Sequence, residues 1–356
     1  MAKLLRKAVL CLIIALLATQ FLAASGQRDS SAAPASGVSA TSAVSERDGK
    51  TYTADSFGYR PVENTTGRQI RIAVICVQNN PFWSDVTDGA YAARAVLRLP
   101  QYNAVVDYIS INDFIGQEFS DAIEACIVRG YDAITTVGVS DAIVPAIDRA
   151  VAAGIHVYTF NSDTARQSRR TAFVGQDLYG AGRQNGETLA SLIGYEGKVA
   201  VITGLFSVNA HELRRNGGIE ALSQHPRITV LSAVESRDSA DVAYTVTRDF
   251  ITANPDLKGI YVTAGGTHGA ARALEALGRG NEIALVCFDT YDELIPFLRR
   301  GTINSTLTQD PFGQGSDPVV LAFNHVVSGR PQVSGNAFTK MDNVTPANLE
   351  EYLAGN

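Results

Sequence analysis

The stretch "IRIAVICVQNNPFWSDVTDGAYAARAVLRL", residues 70–99, decides the fold. Its first eight residues are apolar except Arg71, and so short a run rich in β-branched side chains reads as a strand buried on both faces. From Trp83 onward the apolar residues return at helical spacing, which predicts an amphipathic helix. Pro81 ends the strand and sets the turn, and the chain's single tryptophan, Trp83, stands there beside Phe82.

The strand–helix unit then repeats. "NAVVDYIS" precedes "GQEFSDAIEACIVRG", "YDAITTVG" precedes "SDAIVPAIDRAVAAG", and "IHVYTF" follows. A second set begins at "LYGAGRQNGETLASLIG" and continues through the strands "KVAVITG", "ITVLSAVE", "KGIYVTA" and "EIALVCF", each leading into a helical pattern. A last crossing, "TINSTLTQD", precedes the helix "FGQGSDPVVLAFNHVVSG". Two sets of such units predict an α/β protein of two similar doubly wound, Rossmann-like lobes. The N-terminal lobe is expected over 68–174 and 310–338, the C-terminal lobe over 175–309 and 339–356. A three-segment hinge is placed near Phe173–Gln176, Thr290 and Thr308–Asp310.

The N-terminus has the layout of a secretory signal peptide over 1–25: Lys3, Arg6 and Lys7, an apolar run, then small residues. A retained anchor is the alternative. Ser25 stands where a lipidated cysteine would be needed, so lipid attachment is not expected. Residues 26–67, Ser/Ala-rich at their start, read as a flexible linker. The protein is therefore expected outside the cytoplasm. Losing the three basic residues of the leader takes the formal charge from −6 to −9. With no basic cluster beyond isolated Arg pairs, nucleic acid is excluded as a partner. Cys76, Cys126 and Cys287 show no metal spacing and read as buried free thiols, one disulfide being the alternative. The histidines are scattered, and neither metal nor cofactor is expected.

In doubly wound sheets ligands bind beyond the carboxyl ends of the strands. Those positions hold Asn80, Phe82 and Trp83; Asn161 and Asp163; His211 and the pair Arg214–Arg215; Asp238; Ala264 in "AGGTHGA"; Asp289; and Gln309. Directional donors and acceptors around flat apolar faces suit a sugar, whose hydroxyls donate and accept while its C–H faces pack on aromatic rings. Each residue also has a plainer reading. Asp163 and Asp289 could cap turns or helices, Arg215 could be a solvated helix charge, and Phe82 with Trp83 could staple a helix start. The glycine-rich run lacks GxGxxG and a following Lys, so close packing or approach to a neutral ligand is favoured over phosphate binding.

The motifs "NNPFW", "RRNGGI", "ANPDLKGIYV", "CFDTYDELI" and "TLTQDPFGQG" resemble the type I periplasmic binding proteins of ribose- and galactose-type sugar uptake systems, whose fold the effector domain of lactose-repressor-like regulators shares. The resemblance spans nearly all of residues 70–355. It implies that Asn80, Phe82 and Trp83 line the pocket from the first lobe, that Arg215 and Asp289 are the pocket Arg and Asp of the second, and that Gln309 is the Gln at the crossing. Asn161 and Ser162 stand where ribose-type members carry Asp and Arg, Ala264 where the family often has Asn, and Asp238 near a pocket aromatic. These departures argue against ribose itself. The repressor's DNA-binding segment and the galactose-type calcium loop have no counterpart.

The resemblance implies a monomeric receptor that closes over a small sugar and delivers it to an ABC transporter permease. A polyol, nucleoside or furanosyl signalling molecule is the alternative ligand, and a chemoreceptor or sensor the alternative partner. An enzyme using Asp163 and Asp289 as paired carboxylates is the rival from another class. No activated nucleophile, nucleophile elbow or metal site supports it, so no enzymatic activity is expected.

Overall fold

The computed structural model describes residues 41–78 and 82–355. The expected signal peptide, the first part of the expected linker, and Asn80 lie outside the described residues.

Strands β3 (Ile70–Val77), β4 (Ala104–Ile111), β5 (Ala133–Val137), β6 (His156–Phe160), β7 (Ala172–Gly175) and β14 (Gly335–Phe338) form one sheet in the order β14-β7-β6-β5-β3-β4. Every pair in it is parallel. Helices α1 (Phe82–Leu97) and α9 (Pro311–Ser328) pack together against it, as do α2 (Gly116–Val128) and α3 (Val144–Ala152). Central strands covered on both faces read as near-continuous apolar runs, and β5 is buried at every residue, its Thr135 and Thr136 included.

The second sheet runs β10-β8-β11-β12-β13-β15, with β9 also paired to β8. Its strands are β8 (Gly197–Thr203), β9 (Ile228–Val230), β10 (Val234–Glu235), β11 (Leu257–Val262), β12 (Ala284–Phe288), β13 (Ser305–Leu307) and β15 (Asn343–Val344). Only β15 is antiparallel to its neighbour. Helix α4 (Leu178–Leu192) packs with α5 (Asn209–Ser223), and α6 (Ala240–Ala253) with α7 (Thr267–Ala276). The two α/β lobes follow from this arrangement.

The chain passes between the sheets after β7, between β13 and α9, and between β14 and β15. These segments are laced together. Gln176 Nε2 donates to the Thr308 carbonyl at 2.9 Å, the Thr308 N–H to the Asp342 carbonyl at 3.0 Å, and Thr339 Oγ1 to the Gln309 carbonyl at 2.9 Å. Thr290, expected in the hinge, is not a crossing: it follows β12 and leads to α8 (Ile295–Arg300) and β13 within the same lobe. The third crossing is 339–342; the expected lobe bounds change there, between 338 and 339, although the expected hinge did not include it.

Residues 41–67 also depart from expectation. Rather than a flexible linker they form a strap on the first lobe, with a hairpin of β1 (Ser42–Val44) and β2 (Thr51–Thr53). Arg47 Nε pairs with Asp88 at 2.8 Å, and Glu46 pairs with Arg98. The Gly58 N–H donates to Asp317 and the Val62 N–H to Asn324, both on α9 and both at 2.9 Å. Tyr52 stacks on Phe312 with centroids 5.5 Å apart. Aromatic residues explain the difference: Tyr52, Phe57 and Tyr59 pack against the core of the first lobe, which a Ser/Ala tether could not do.

Candidate functional site

The carboxyl ends of both sheets face one cleft. On its first-lobe side Phe82 and Trp83 open α1, both buried, their rings edge to face at 5.1 Å. Trp83 also meets Phe114, from the loop after β4, at 6.1 Å. On the second-lobe side Arg214 projects from α5. That helix comes close to α4 because glycines leave room: a Cβ on Gly182 would lie 2.3 Å from the Arg214 carbonyl oxygen, and one on Gly217 2.2 Å from that of Tyr179.

Arg214 is 5 % exposed and held on several sides. Its Nε donates to Gln176 Oε1 at 2.9 Å, and its guanidinium lies 4.1 Å from the centre of the Phe288 ring. Burial lowers its pKa, and Asp289 works against that shift; a guanidinium stays charged regardless. Burial pushes the Asp289 carboxyl up, and Arg214 pulls it back. Gln309 Nε2 donates to Asp289 Oδ1 at 2.6 Å. Gln314 Nε2 donates to Gln309 Oε1 at 3.1 Å, and Asn161 Nδ2 to Gln314 Oε1 at 3.0 Å. A hydrogen-bonded chain therefore joins Asn161 of one lobe to Asp289 of the other.

Asn161, Asp238 and Asp289 hold left-handed backbone conformations, with φ of 61°, 56° and 73°. Short polar side chains tolerate that region better than most, at a cost of about 1–2 kcal/mol per residue. Such strain concentrates at functional sites. In each case it turns the residue at a strand end or adjoining loop toward the cleft, and Asp238 Oδ1 also accepts the Gly265 N–H at 3.0 Å.

Arg214, Asn161, Asp238, Asp289 and Gln309 line a narrow cavity of about 40 Å³ between the lobes, well under the range of about 300–1,000 Å³ for small-molecule sites, so a ligand of that class needs the lobes further apart to enter. Of the residues singled out in the sequence, the cavity gathers Phe82, Trp83, Asn161, His211, Arg214, Asp238, Asp289 and Gln309, with Ala264 on its wall. It does not gather Arg215, which turns outward to Glu212, donating at 2.8 and 2.6 Å. Nor does it include Asp163, whose carboxylate receives Arg170 Nε at 2.9 Å and Thr159 Oγ1 at 2.8 Å. Asp163 and Asp289 therefore form no catalytic pair. The cavity also recruits Phe114 and Tyr291; Phe114 sits past the end of the second strand, where the sequence offers no motif of the kind found at the other cleft positions.

The lobes touch at the mouth. Asn209 Nδ2 of one donates to the Asp163 carbonyl of the other at 2.8 Å, and Phe114 meets His211 edge to face at 5.9 Å. The cysteines Cys76, Cys126 and Cys287 are free and buried, and burial pushes their thiols up to about 12, 11 and 12.

Comparison with known proteins agrees with this geometry. Residues 72–331 match the family model "Periplasmic binding protein domain". The D-apiose import binding protein of Actinobacillus succinogenes is 24% identical over 263 residues, covering 72% of this chain and 82% of that protein. The crystal structure of GanP, a glucose-galactose binding protein from Geobacillus stearothermophilus, superposes with a TM-score of 0.72 at 27% identity, over 79% of this chain and 99% of that one. An ABC transporter solute binding protein from Burkholderia graminis in complex with D-arabinose gives 0.73 at 25% identity, over 80% and 97%. With the family model spanning most of a chain whose two lobes meet over a polar, aromatic-walled cavity, this protein belongs to the periplasmic binding protein family.

Proposed function

We propose that the protein captures a monosaccharide between its lobes outside the cytoplasm and presents the closed form to the membrane subunits of an ABC transporter. The observation that carries this reading is the hydrogen-bonded chain Asn161–Gln314–Gln309–Asp289 beside Arg214, facing the Phe82–Trp83 wall across the cleft between the lobes. Asp289 and Arg214 receive and donate hydrogen bonds to ring hydroxyls, charged partners making each bond shorter and stronger. Phe82 and Trp83 pack on the C–H face of the ring. The related proteins named for D-apiose import and glucose-galactose binding, and the structure with D-arabinose, support the ligand class.

The test is a titration with D-apiose, D-arabinose, D-galactose and D-glucose, following the fluorescence of Trp83 and the thermal midpoint together. A binding sugar at 100 times its Kd stabilises the folded state by about 2.7 kcal/mol. A saturable fluorescence change with a matching rise in midpoint is expected. No response in either signal across pentoses and hexoses overturns the reading.

A further inference from the structure

His211 lies in the first turn of α5, buried and lining the cavity beside Asp238. Its surroundings fix both nitrogens. The Leu205 N–H donates to Nδ1 at 3.0 Å, which requires that nitrogen to be unprotonated, so the neutral ring carries its hydrogen on Nε2. Nε2 faces Asp238 Oδ2 at 3.9 Å, too far for a direct bond, yet a gap that a hydroxyl oxygen about 2.8 Å from each atom would span. Gly204 keeps the pair in place: a Cβ there would lie 2.5 Å from Cε1 and Nδ1 of His211 and 2.6 Å from Asp238 Oδ1. Phe114, from the opposite lobe, closes over the ring edge.

We propose that His211 is a ligand-contacting residue that makes capture proton-linked: its neutral imidazole donates Nε2–H to a ligand hydroxyl, that hydroxyl donates to Asp238, and closure of Phe114 over the ring holds the imidazole neutral. The proposal rests on the sugar-binding reading above. Burial is the largest influence lowering the His211 pKa; Asp238 and Glu212 pull it up and Arg214 pushes it further down. With the lobes apart, water reaches the ring and its pKa approaches the ordinary value of about 6.5. Capture in a mildly acidic medium then expels a proton, and the apparent Kd rises by up to about tenfold per pH unit below that value. Asp289 lines the same cavity and also resists ionisation, so its contribution must be separated from that of His211.

Calorimetric titration with D-apiose, D-arabinose and D-galactose between about pH 7.5 and 5.5 separates them, because Asp289 is retained when His211→Gln is compared with the natural protein. The natural protein should weaken about fivefold from pH 6.5 to 5.5 and release a proton, seen as a heat that varies with the ionisation enthalpy of the buffer. His211→Gln, whose amide keeps a donor but does not titrate, should bind more weakly at pH 7.5 and show little slope down to about pH 5.5. A variant that keeps the natural slope, or a natural protein that binds without releasing a proton, overturns the inference and leaves the sugar reading standing. Should His211→Gln not fold, His211→Asn takes its place in the same comparison, again with Asp289 retained. No binding of any of the three sugars by the natural protein overturns the sugar reading and this inference with it.

Discussion

Arg214 and Arg215 are neighbours in sequence and opposites in environment. Consecutive helical residues are turned by about 100°, so only one of them can face the cleft. Arg214 lies at helical spacing from His211, Gly218 and Ala221, the buried face of α5, whereas Arg215 reaches Glu212 at the surface. Arg215→Ala should therefore change stability by less than about 0.5 kcal/mol in urea denaturation, as expected for a partly exposed pair, and leave sugar affinity within about twofold. Arg214→Lys loses the planar guanidinium that holds Gln176 and lies over Phe288, and should weaken sugar binding about tenfold or more in the same titration. Equal losses at the two positions would refute the assignment. Motif similarity selected Arg215, although helical periodicity was already present in "NAHELRRNGGIEAL" and favours Arg214. Strand-end residues such as Phe82, Trp83 and Asp289 needed no such choice, because the end of a strand in a parallel sheet points one way.

At the scale of elements, the strap over 41–67 is where composition misled. Serine and alanine dominate the residues before it, but "GKTYTADSFGYRPV" carries three aromatics, and these hold it to the lobe. The β/α units were legible because each repeats one pattern, apolar run then helical spacing; the strap repeats nothing and depends on α9, more than 250 residues away. Its latch at Asp317 titrates. Burial raises that carboxyl to about 7, opposed by the Gly58 N–H that it accepts. A carboxyl with its folded pKa above the unfolded value of 3.8 binds more protons when folded, so its contribution to stability is present at acid pH and is lost as pH rises through about 7. If release of the strap exposes Asp317 to water, ionisation favours release. Limited proteolysis within 41–67, normalised to cleavage of an unfolded substrate, should run faster at about pH 8.5 than at 6, and Asp317→Asn should remove the difference. A rate independent of pH in the natural protein would show that the latch does not control the strap.

For the whole molecule, function depends on two lobes meeting over a cavity that neither encloses alone. The crossings near Gln176, Thr308–Asp310 and 339–342 are bonded to one another, so they bend as one unit, and what remains free is the width of the mouth. Asn209 bridges that mouth by donating to the Asp163 carbonyl, away from the cavity groups. The bond can form only once the lobes have closed, after the sugar has entered. Its loss should therefore leave association nearly unchanged and act on dissociation. Removing a bond worth about 0.5–1.5 kcal/mol predicts that Asn209→Ala speeds release by about two- to twelvefold. Stopped-flow fluorescence of Trp83 with the tightest-binding monosaccharide measures both rates. An effect confined to release identifies the bridge as a latch on the closed form. A slower association instead would place Asn209 on the entry path, and the mouth contact would then be a consequence of closure without holding it.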